Sequence, residues 1–386
     1  MNCMVYCQHV LGIGHLCRIM LILQQLKEQR ITLVLGGPPV AVSLPNHVRV
    51  VQLPGLRMDE QFSGLLPVAS GQDISLIKEQ RTQQLLTLFN DLQPDLLLVE
   101  LFPFGRNAFR FELLPLLERA GEQKKCRVAC SVRDILVERD NTIKFEQRVI
   151  DRLNRYFHLL LVHGDPDLIK LDETFSRMAD VKIPVSYTGY ICQPPHPGDR
   201  EQLRKRLQMN DKEQLIVVSA GSGSVGTSLL QAAAKAFTLL GPAQHCRIQI
   251  FTGPYMPDHD FEQLSATQNN GITVERFSND FPAWLAAADL SISMGGYNTT
   301  MNLITAGCRA LVYPFAQNHE QRMRAKRLEQ RGHLQLLTDM DLHPAVLAEK
   351  ITGILATAPR SAAIMLNGAP RTAEQLQRLA AGEPIV

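Results

Sequence analysis

The chain has 386 residues, enough for two or three domains that each bury a core. Forty Lys and Arg against 38 Asp and Glu leave a formal net charge of +2, which excludes a protein that holds nucleic acid or another polyanion by bulk charge. With 45% hydrophobic and 20% charged residues the chain is not disordered, and its 25 glycines and 22 prolines follow no fibrous period.

In chain order, Met4–Cys7 reads as a strand, the segment around Gly12 and Gly14 as a tight loop, and Leu16–Gln29 as a helix. This start is apolar, yet Gln8, His9, His15 and Arg18 interrupt it and no small-residue cleavage site follows, so a secretory signal is not expected. Strands are predicted at Ile31–Leu35, Val48–Gln52, Leu96–Glu100, Arg127–Ser131, Leu159–His163 and around Ser186–Tyr187. Helices are predicted at Ile74–Leu92, Arg110–Ala120 and Thr142–Asn154. The proline-rich run Gln193–Gly198 favours an extended linker.

A second series follows: strand Gln214–Ser219, the glycine-rich turn Gly221–Gly226, and a helix from Thr227 to Leu240. Further strands are expected at Ile248–Thr252, Ile272–Arg276, Leu290–Ser293 and Ala310–Tyr313. Alternating strands and helices imply parallel sheets. The expected architecture is therefore α/β, with two Rossmann-like doubly wound domains facing across a cleft. Their expected bounds are 1–192 and 199–360, with 361–386 as a separate tail carrying a helix at Thr372–Ala381. Open sheets of this kind bind ligands beyond the carboxyl ends of their strands.

The eight cysteines form no C-x-x-C pair and several sit inside apolar runs, as expected of reduced thiols in the cytoplasm. Cys3 and Cys7 lack a second ligand pair at zinc spacing, so no metal is expected. No run reaches the roughly 18 apolar residues of a membrane span, which leaves at most peripheral membrane contact.

Four stretches carry chemistry. In Gln8–His15, Gly12 and Gly14 let the backbone approach a ligand, and His15, at the start of a helix, is a candidate general base. A histidine that merely caps the turn is the plainer alternative. Ser219–Gly226, with Ser222, Gly223 and Ser224, follows a strand but lacks the G-K-[ST] ending of a P-loop. It reads as a backbone nest for a diphosphate, or as a simple flexible turn. In Ser293–Thr300, Gly295 and Gly296 open the backbone ahead of Tyr297, Asn298, Thr299 and Thr300 at a helix start, a phosphate seat. Glu320 and Gln321, after the strand and turn Ala310–Phe315, offer a carboxylate and an amide for sugar hydroxyls. A solvated charge at a helix start is the alternative for Glu320.

Taken in order, these motifs resemble the glycosyltransferases of GT-B fold. The likeness is to family 28, the peptidoglycan N-acetylglucosaminyltransferase group, and to a related bacterial set of glycosyltransferases. The resemblance also rests on Phe102–Arg106, Val132–Leu136, His163–Asp165, Thr188–Tyr190, Gly295–Thr299 and Glu320–Arg322, and runs to about Gly332. It implies transfer of a sugar from a nucleotide-diphosphate donor, UDP-linked, to an acceptor hydroxyl with inversion and no tightly bound cofactor. The acceptor would be a small molecule, a glycan or a lipid-linked precursor; no nucleic-acid partner is expected.

The resemblance implies that the base contacts backbone near Arg276, Phe277 and Ser278, and that the diphosphate lies on Gly221–Gly226 and Gly295–Thr299. It also implies that Glu320 and Gln321 touch the donor sugar. The acceptor would enter past Gly12–His15, with Arg106, Arg133 and Asp134 shaping its side and His15, or failing it Glu100, as the base. Arg133 and Asp134 could equally form a structural ion pair. One position departs from the pattern: Asn302 stands where the family usually carries the glutamate that grips the ribose, and a neutral amide loses charge-assisted strength. A nucleotide-sugar hydrolase, an epimerase of the same fold and a non-catalytic sensor are the rival readings.

Overall fold

A computed structural model describes residues 1–8, 14–38, 45–59, 64–69, 71–137, 141–221, 223, 225–240, 245–358 and 363–385. The chain divides into two units, Met1–Ile191 with Met365–Val386, and Cys192–Ile364.

The first unit runs β1 (Asn2–Tyr6), α1 (Gly14–Leu23), β2 (Arg30–Leu35), β3 (Val48–Gln52), β4 (Leu56–Met58), β5 (Leu65–Pro67), α2 (Ile74–Leu92), β6 (Leu96–Glu100), α3 (Arg110–Glu122), β7 (Arg127–Arg133), α4 (Thr142–Tyr156), β8 (Leu159–His163) and β9 (Val185–Tyr187). The second runs α5 (Asp199–Arg206), β10 (Gln214–Ser219), α6 (Thr227–Leu239), β11 (Cys246–Phe251), α7 (Asp258–Ser265), β12 (Ile272–Glu275), α8 (Phe281–Ala287), β13 (Leu290–Met294), α9 (Tyr297–Ala306), β14 (Arg309–Tyr313), α10 (His319–Gln330), β15 (Gln335–Leu336) and α11 (Pro344–Leu355). Helix α12 (Gly368–Ala381) follows.

The first unit is built on a parallel sheet of order β3-β2-β1-β6-β7-β8-β9, with β4 and β5 as a separate antiparallel pair. Strands β6 and β8 are buried along their whole length, so they read as unbroken apolar runs closed by one polar residue, Glu100 and His163. Alternate residues of β1 feed two cores. Met4 and Tyr6 face the core that holds Leu85, Leu116 and Val149 of α2, α3 and α4, while Cys3 and Val5 face Leu16 and Ile19 of α1. Helix α1 ends at Leu23, short of the expected Gln29. Tighter turns follow (Gln25 N–H to Ile22 O, Leu26 N–H to Leu23 O), and they keep Leu26 buried while aiming the chain into β2.

The tail is not a separate piece. Ala369, Ala373, Leu376 and Leu379, spaced at helical intervals on α12, join the core under α1. Burying the two leucines contributes roughly 1.5–3 kcal/mol each. The crossing needs glycine twice. A Cβ on Gly368 would lie 2.4 Å from Gly189 O, and Gly189 has φ +88 with a Cβ position 2.8 Å from Met365 O. Tyr190 N–H donates to Met365 O and Gly368 N–H to Tyr190 O across this seam.

The second unit carries a parallel sheet of order β12-β11-β10-β13-β14-β15. One face packs on α6 and α11 through Leu229, Leu230, Leu347 and Ile351. None of the eight cysteines is in a disulfide. Among the described residues no helix is long and apolar enough to cross a membrane.

Candidate active site

Each sheet has one place where the chain leaves a strand on one side and returns on the other. In the first unit this is between β1 and β6, and in the second between β10 and β13. Ligands of open α/β sheets collect there.

At the first unit's switch point His15, the second residue of α1, meets Glu100, the last residue of β6: His15 Nδ1 lies 2.8 Å from Glu100 Oε1. The same oxygen takes the guanidinium of Arg18, one turn along α1, and Oε2 takes the hydroxyl of Ser131, its register partner on β7. Ser131 Oγ is 2.7 Å from His163 Nε2 at the end of β8, and His163 Nδ1 is 2.9 Å from Thr188 Oγ1.

Burial alone would raise the Glu100 carboxyl. The Arg18 guanidinium and then His15 outweigh it and hold the group well below the usual carboxylate range. Burial pushes His15 down to about 4, against the opposing pull of Glu100, and pushes His163 down to about 3. Both imidazoles are therefore neutral at pH 7. An ionised carboxylate only accepts, so His15 donates from Nδ1 to Glu100, while the Arg18 Nη2 that also lies 3.0 Å from Nδ1 is spent on the same carboxylate oxygen. Its Nε2 has no protein partner among the described residues and keeps its lone pair.

This geometry changes the part assigned to Glu100. At 1% exposure, under three donors, it cannot meet an acceptor hydroxyl, so it orients His15 instead of acting as a base. Asp134 changes place as well. It is fully buried, accepts from the Tyr190 hydroxyl at 2.9 Å, and packs so tightly that a Cβ on Gly164 would lie 2.6 Å from its own, which removes it from the acceptor side. Arg133 ends β7 half-buried. Arg106, with φ 56, stands in the left-handed region, and its Nε and Nη2 are buried without a hydrogen-bond partner among the described residues. Gly14 is the first residue of α1; Gly12, Ser222 and Ser224 lie outside the described residues.

The second unit's switch point is lined by hydroxyls instead of charges. Ser219 ends β10, its register partner Ser293 lies on β13, and Thr300 sits in the first turn of α9. All three are buried, at 3%, 0% and 1% exposure, and none of the three hydroxyls has a hydrogen-bond partner among the described residues. Gly296 caps α9 with φ −62, and a Cβ there would meet only Thr299 Oγ1, at 4.0 Å. Gly295 is closer, with Pro314 and Val312 at 3.4 Å. The first turn of α9, beginning at Tyr297, Asn298 and Thr299, opens onto this space, where an α-helix favours an anion. Asn302 lies half-buried on the next turn.

Other expected donor residues are already engaged. Gly223 is a packing glycine, with φ +88 and a Cβ position 2.5 Å from Thr252 O. Arg276 donates to Met256 O and Asp258 and lies 4.2 Å over the Phe261 ring, which leaves exposed Phe277 and the backbone for a base. Glu320 accepts from Arg324 at 3.0 Å, and Arg324 lies over the Tyr297 ring at 4.9 Å. Gln321 accepts Phe315 N–H on its carbonyl, leaving its amide nitrogen to donate.

Sequence reasoning missed Arg18, Ser131, His163 and Thr188 as members of the network. Arg18 gave a signal, a charge three residues from His15 inside an apolar helix. His163 and Thr188 stood within noticed motifs, but only the sheet register brings them to Glu100.

Two doubly wound α/β units, one with a histidine held against a buried carboxylate and one with buried hydroxyls beside a helix start, define an α/β protein of GT-B fold. Its second half carries the family signature: residues 215–378 match the glycosyltransferase family 28 C-terminal domain. Curated relatives include UDP-N-acetylglucosamine–N-acetylmuramyl-(pentapeptide) pyrophosphoryl-undecaprenol N-acetylglucosamine transferases. The Methylibium petroleiphilum protein is 29% identical over 57% of this chain and 65% of its own length, and the Thermodesulfovibrio yellowstonii protein 30% identical over 41% and 43%. The chain thus spans less than two thirds of either. Solved structures of the same fold include MurG of Acinetobacter baumannii, with TM-score 0.56, 16% identity and 99% of both chains covered. Phytolacca americana UGT2 with UDP-2-fluoro-glucose and pterostilbene gives a TM-score of 0.63 at 17% identity over 99% of this chain and 94% of that one. These matches bear out the resemblance to family 28 and GT-B glycosyltransferases.

Proposed function

We propose that the protein is an inverting glycosyltransferase that takes its sugar from a nucleoside-diphosphate donor, UDP-linked. The observation that carries this is His15: a neutral imidazole with Nδ1 bonded to an ionised carboxylate and Nε2 free at a switch point is arranged to remove a proton from an acceptor hydroxyl. The deprotonated oxygen attacks the anomeric carbon as the bond to the diphosphate breaks. The imidazolium that forms is stabilised by Glu100, already ionised before the reaction.

On the second unit, the start of α9 with Ser219, Ser293 and Thr300 supplies donors for the diphosphate, whose negative charge grows as it leaves. Gln321 reaches the sugar with its amide nitrogen, Asn302 stands near the ribose, and Arg106 and Arg133 flank the acceptor. The relatives' names support a UDP-linked donor, and one family 28 activity joins N-acetylglucosamine to a lipid-linked acceptor. We place the protein on the cytoplasmic side, where nucleotide sugars are made.

The test is release of UDP from a panel of UDP-sugars, with and without cell extract as acceptor source. Release that requires extract supports transfer. Equal release without it would make the protein a hydrolase, and binding without release a sensor.

A further inference from the structure

We infer that Ser131, His163 and Thr188 are positioning residues for His15. They form a hydrogen-bond chain with one direction, which holds Glu100 turned toward His15 and keeps the outward nitrogen of His15 unprotonated. The inference rests on His15 as the base, but its atoms can be read without any assay of transfer.

The direction follows from donor counting. Glu100 is ionised and can only accept, so the Ser131 hydroxyl must donate to Oε2. With its only proton spent, Ser131 Oγ must accept from His163 Nε2 at 2.7 Å. His163 is neutral and therefore has one proton, which is on Nε2, so Nδ1 accepts from the Thr188 hydroxyl at 2.9 Å. The result is Thr188 to His163 to Ser131 to Glu100, each donating to the next, with His15 donating to the other carboxylate oxygen. Reversing any link between Thr188 and Glu100 leaves two donors or two acceptors facing each other.

The chain threads the ends of β6, β7 and β8, and Glu100, Ser131, His163 and Thr188 are each at most 1% exposed. Thr188 has no route to water, so this is not a proton exit. It is a fixed row of dipoles aimed at one carboxylate, in low dielectric where such rows strengthen one another. The other charged groups near Glu100 and His15 are Arg18 and Arg106; the Cys7 and Cys130 thiols are pushed up by burial and stay neutral. Ser131 and His163 therefore supply the only neutral donors on the Oε2 side among the described residues.

The experiment is a ¹⁵N NMR titration of the full chain labelled at histidine. In the wild type His15 should carry its proton on Nδ1, and Nε2 should be the nitrogen that titrates. Ser131→Ala and His163→Leu should mix the two tautomers and raise the His15 pKa, because a carboxylate with fewer donors attracts the imidazolium more strongly. Ser131→Thr and His163→Gln keep a donor in place and should restore the wild-type pattern. UDP release with extract should fall about tenfold in Ser131→Ala, about 1.4 kcal/mol of barrier, with UDP affinity unchanged. A wild-type His15 protonated on Nε2 overturns the inference. So does an unchanged His15 titration in folded Ser131→Ala and His163→Leu proteins, which would make the chain packing alone. Failure of sugar transfer with the NMR pattern intact would fall on the transferase reading and not on the chain.

Discussion

The two switch points solve opposite problems. At the first, both oxygens of Glu100 are matched: the His15 imidazole, the Arg18 guanidinium and the Ser131 hydroxyl converge on one buried carboxylate, with His163 and Thr188 lined up behind Ser131. At the second, three buried hydroxyls beside the start of α9 have no hydrogen-bond partner among the described residues. Buried polar groups without partners are uncommon and cost about 1–3 kcal/mol each, so a cluster at one strand edge marks a place where a ligand supplies the acceptors. On the proposed function, one unit carries its chemistry preassembled and the other is completed by its ligand.

That contrast breaks most sharply at His15. If the first unit supplies only the base, His15→Ala should lower turnover about 10²–10⁴-fold, measured as acceptor-dependent UDP release, and leave UDP affinity unchanged by calorimetry. Loss of UDP affinity in the same variant would mean that the histidine seats the donor. Glu100→Gln tests the matched network through stability. It removes the charge facing Arg18 and turns an amide donor toward other donors, and should cost about 3 kcal/mol in urea unfolding. A variant as stable as the wild type would show that the carboxylate is dispensable to the fold.

Two glycines of the second unit sharpen the comparison. Gly223→Ala forces φ +88 on a residue with a Cβ and drives it against Thr252 O, so the protein should lose about 1–3 kcal/mol before any ligand is added. Gly296→Val meets open space at φ −62. It should unfold at the wild-type urea concentration yet bind UDP at least tenfold more weakly, because the side chain enters the space before α9. Equal UDP affinity in Gly296→Val would move the diphosphate elsewhere.

The glycines also show how far the sequence reaches. Gly223 and Gly296 look alike in sequence, each in a small polar loop between strand and helix, and both suggest close approach to a phosphate. Only the backbone angle and the neighbour across the turn separate a packing glycine from an open one. The strand ends were legible because unbroken apolar runs closing on Glu100, His163 or Ser219 can only be buried parallel strands. The helix start at Tyr297 was legible from its glycines. Glu100 and Asp134 were not, because their burial depends on Arg18 and Tyr190, partners 82 and 56 residues away. The tail was misplaced for the same reason: α12 is amphipathic in sequence, but nothing local says which sheet lacks a cover.

Acid should separate the two edges further. His15 and His163 have folded values below the unfolded histidine value of about 6.5, so between there and about 4 the unfolded chain binds more protons. Stability should therefore fall as pH drops from 6.5 toward 4, and Glu100, whose folded value is also depressed, adds to the loss below about 4.5. Urea midpoints at pH 7.5 and 5.0 measure it, and His163→Gln, which cannot titrate, should lose less on acidification. An identical drop in that variant would mean that His163 is not the buried neutral group.

The smallest effect on stability is the most telling, because the serines of the two edges should respond with opposite signs. Ser131→Ala removes a hydroxyl that joins a carboxylate to an imidazole and should destabilise the protein by about 1–3 kcal/mol. Ser219→Ala and Ser293→Ala remove hydroxyls that have no hydrogen-bond partner among the described residues, and Ser293 is fully buried. Each should leave the urea midpoint unchanged or raise it by less than about 1 kcal/mol, since an unmatched polar group is exchanged for an apolar one of nearly the same size. In the presence of saturating UDP the order should reverse: the wild type gains more stability from the ligand than either alanine variant, by the ratio of their dissociation constants. If Ser219→Ala and Ser293→Ala instead destabilise the ligand-free protein as Ser131→Ala does, those hydroxyls have partners of their own and the second edge is a matched network like the first. If they are neutral both with and without UDP, the diphosphate does not reach the gap between β10 and β13, and its seat must be sought nearer Asn298 and Thr299.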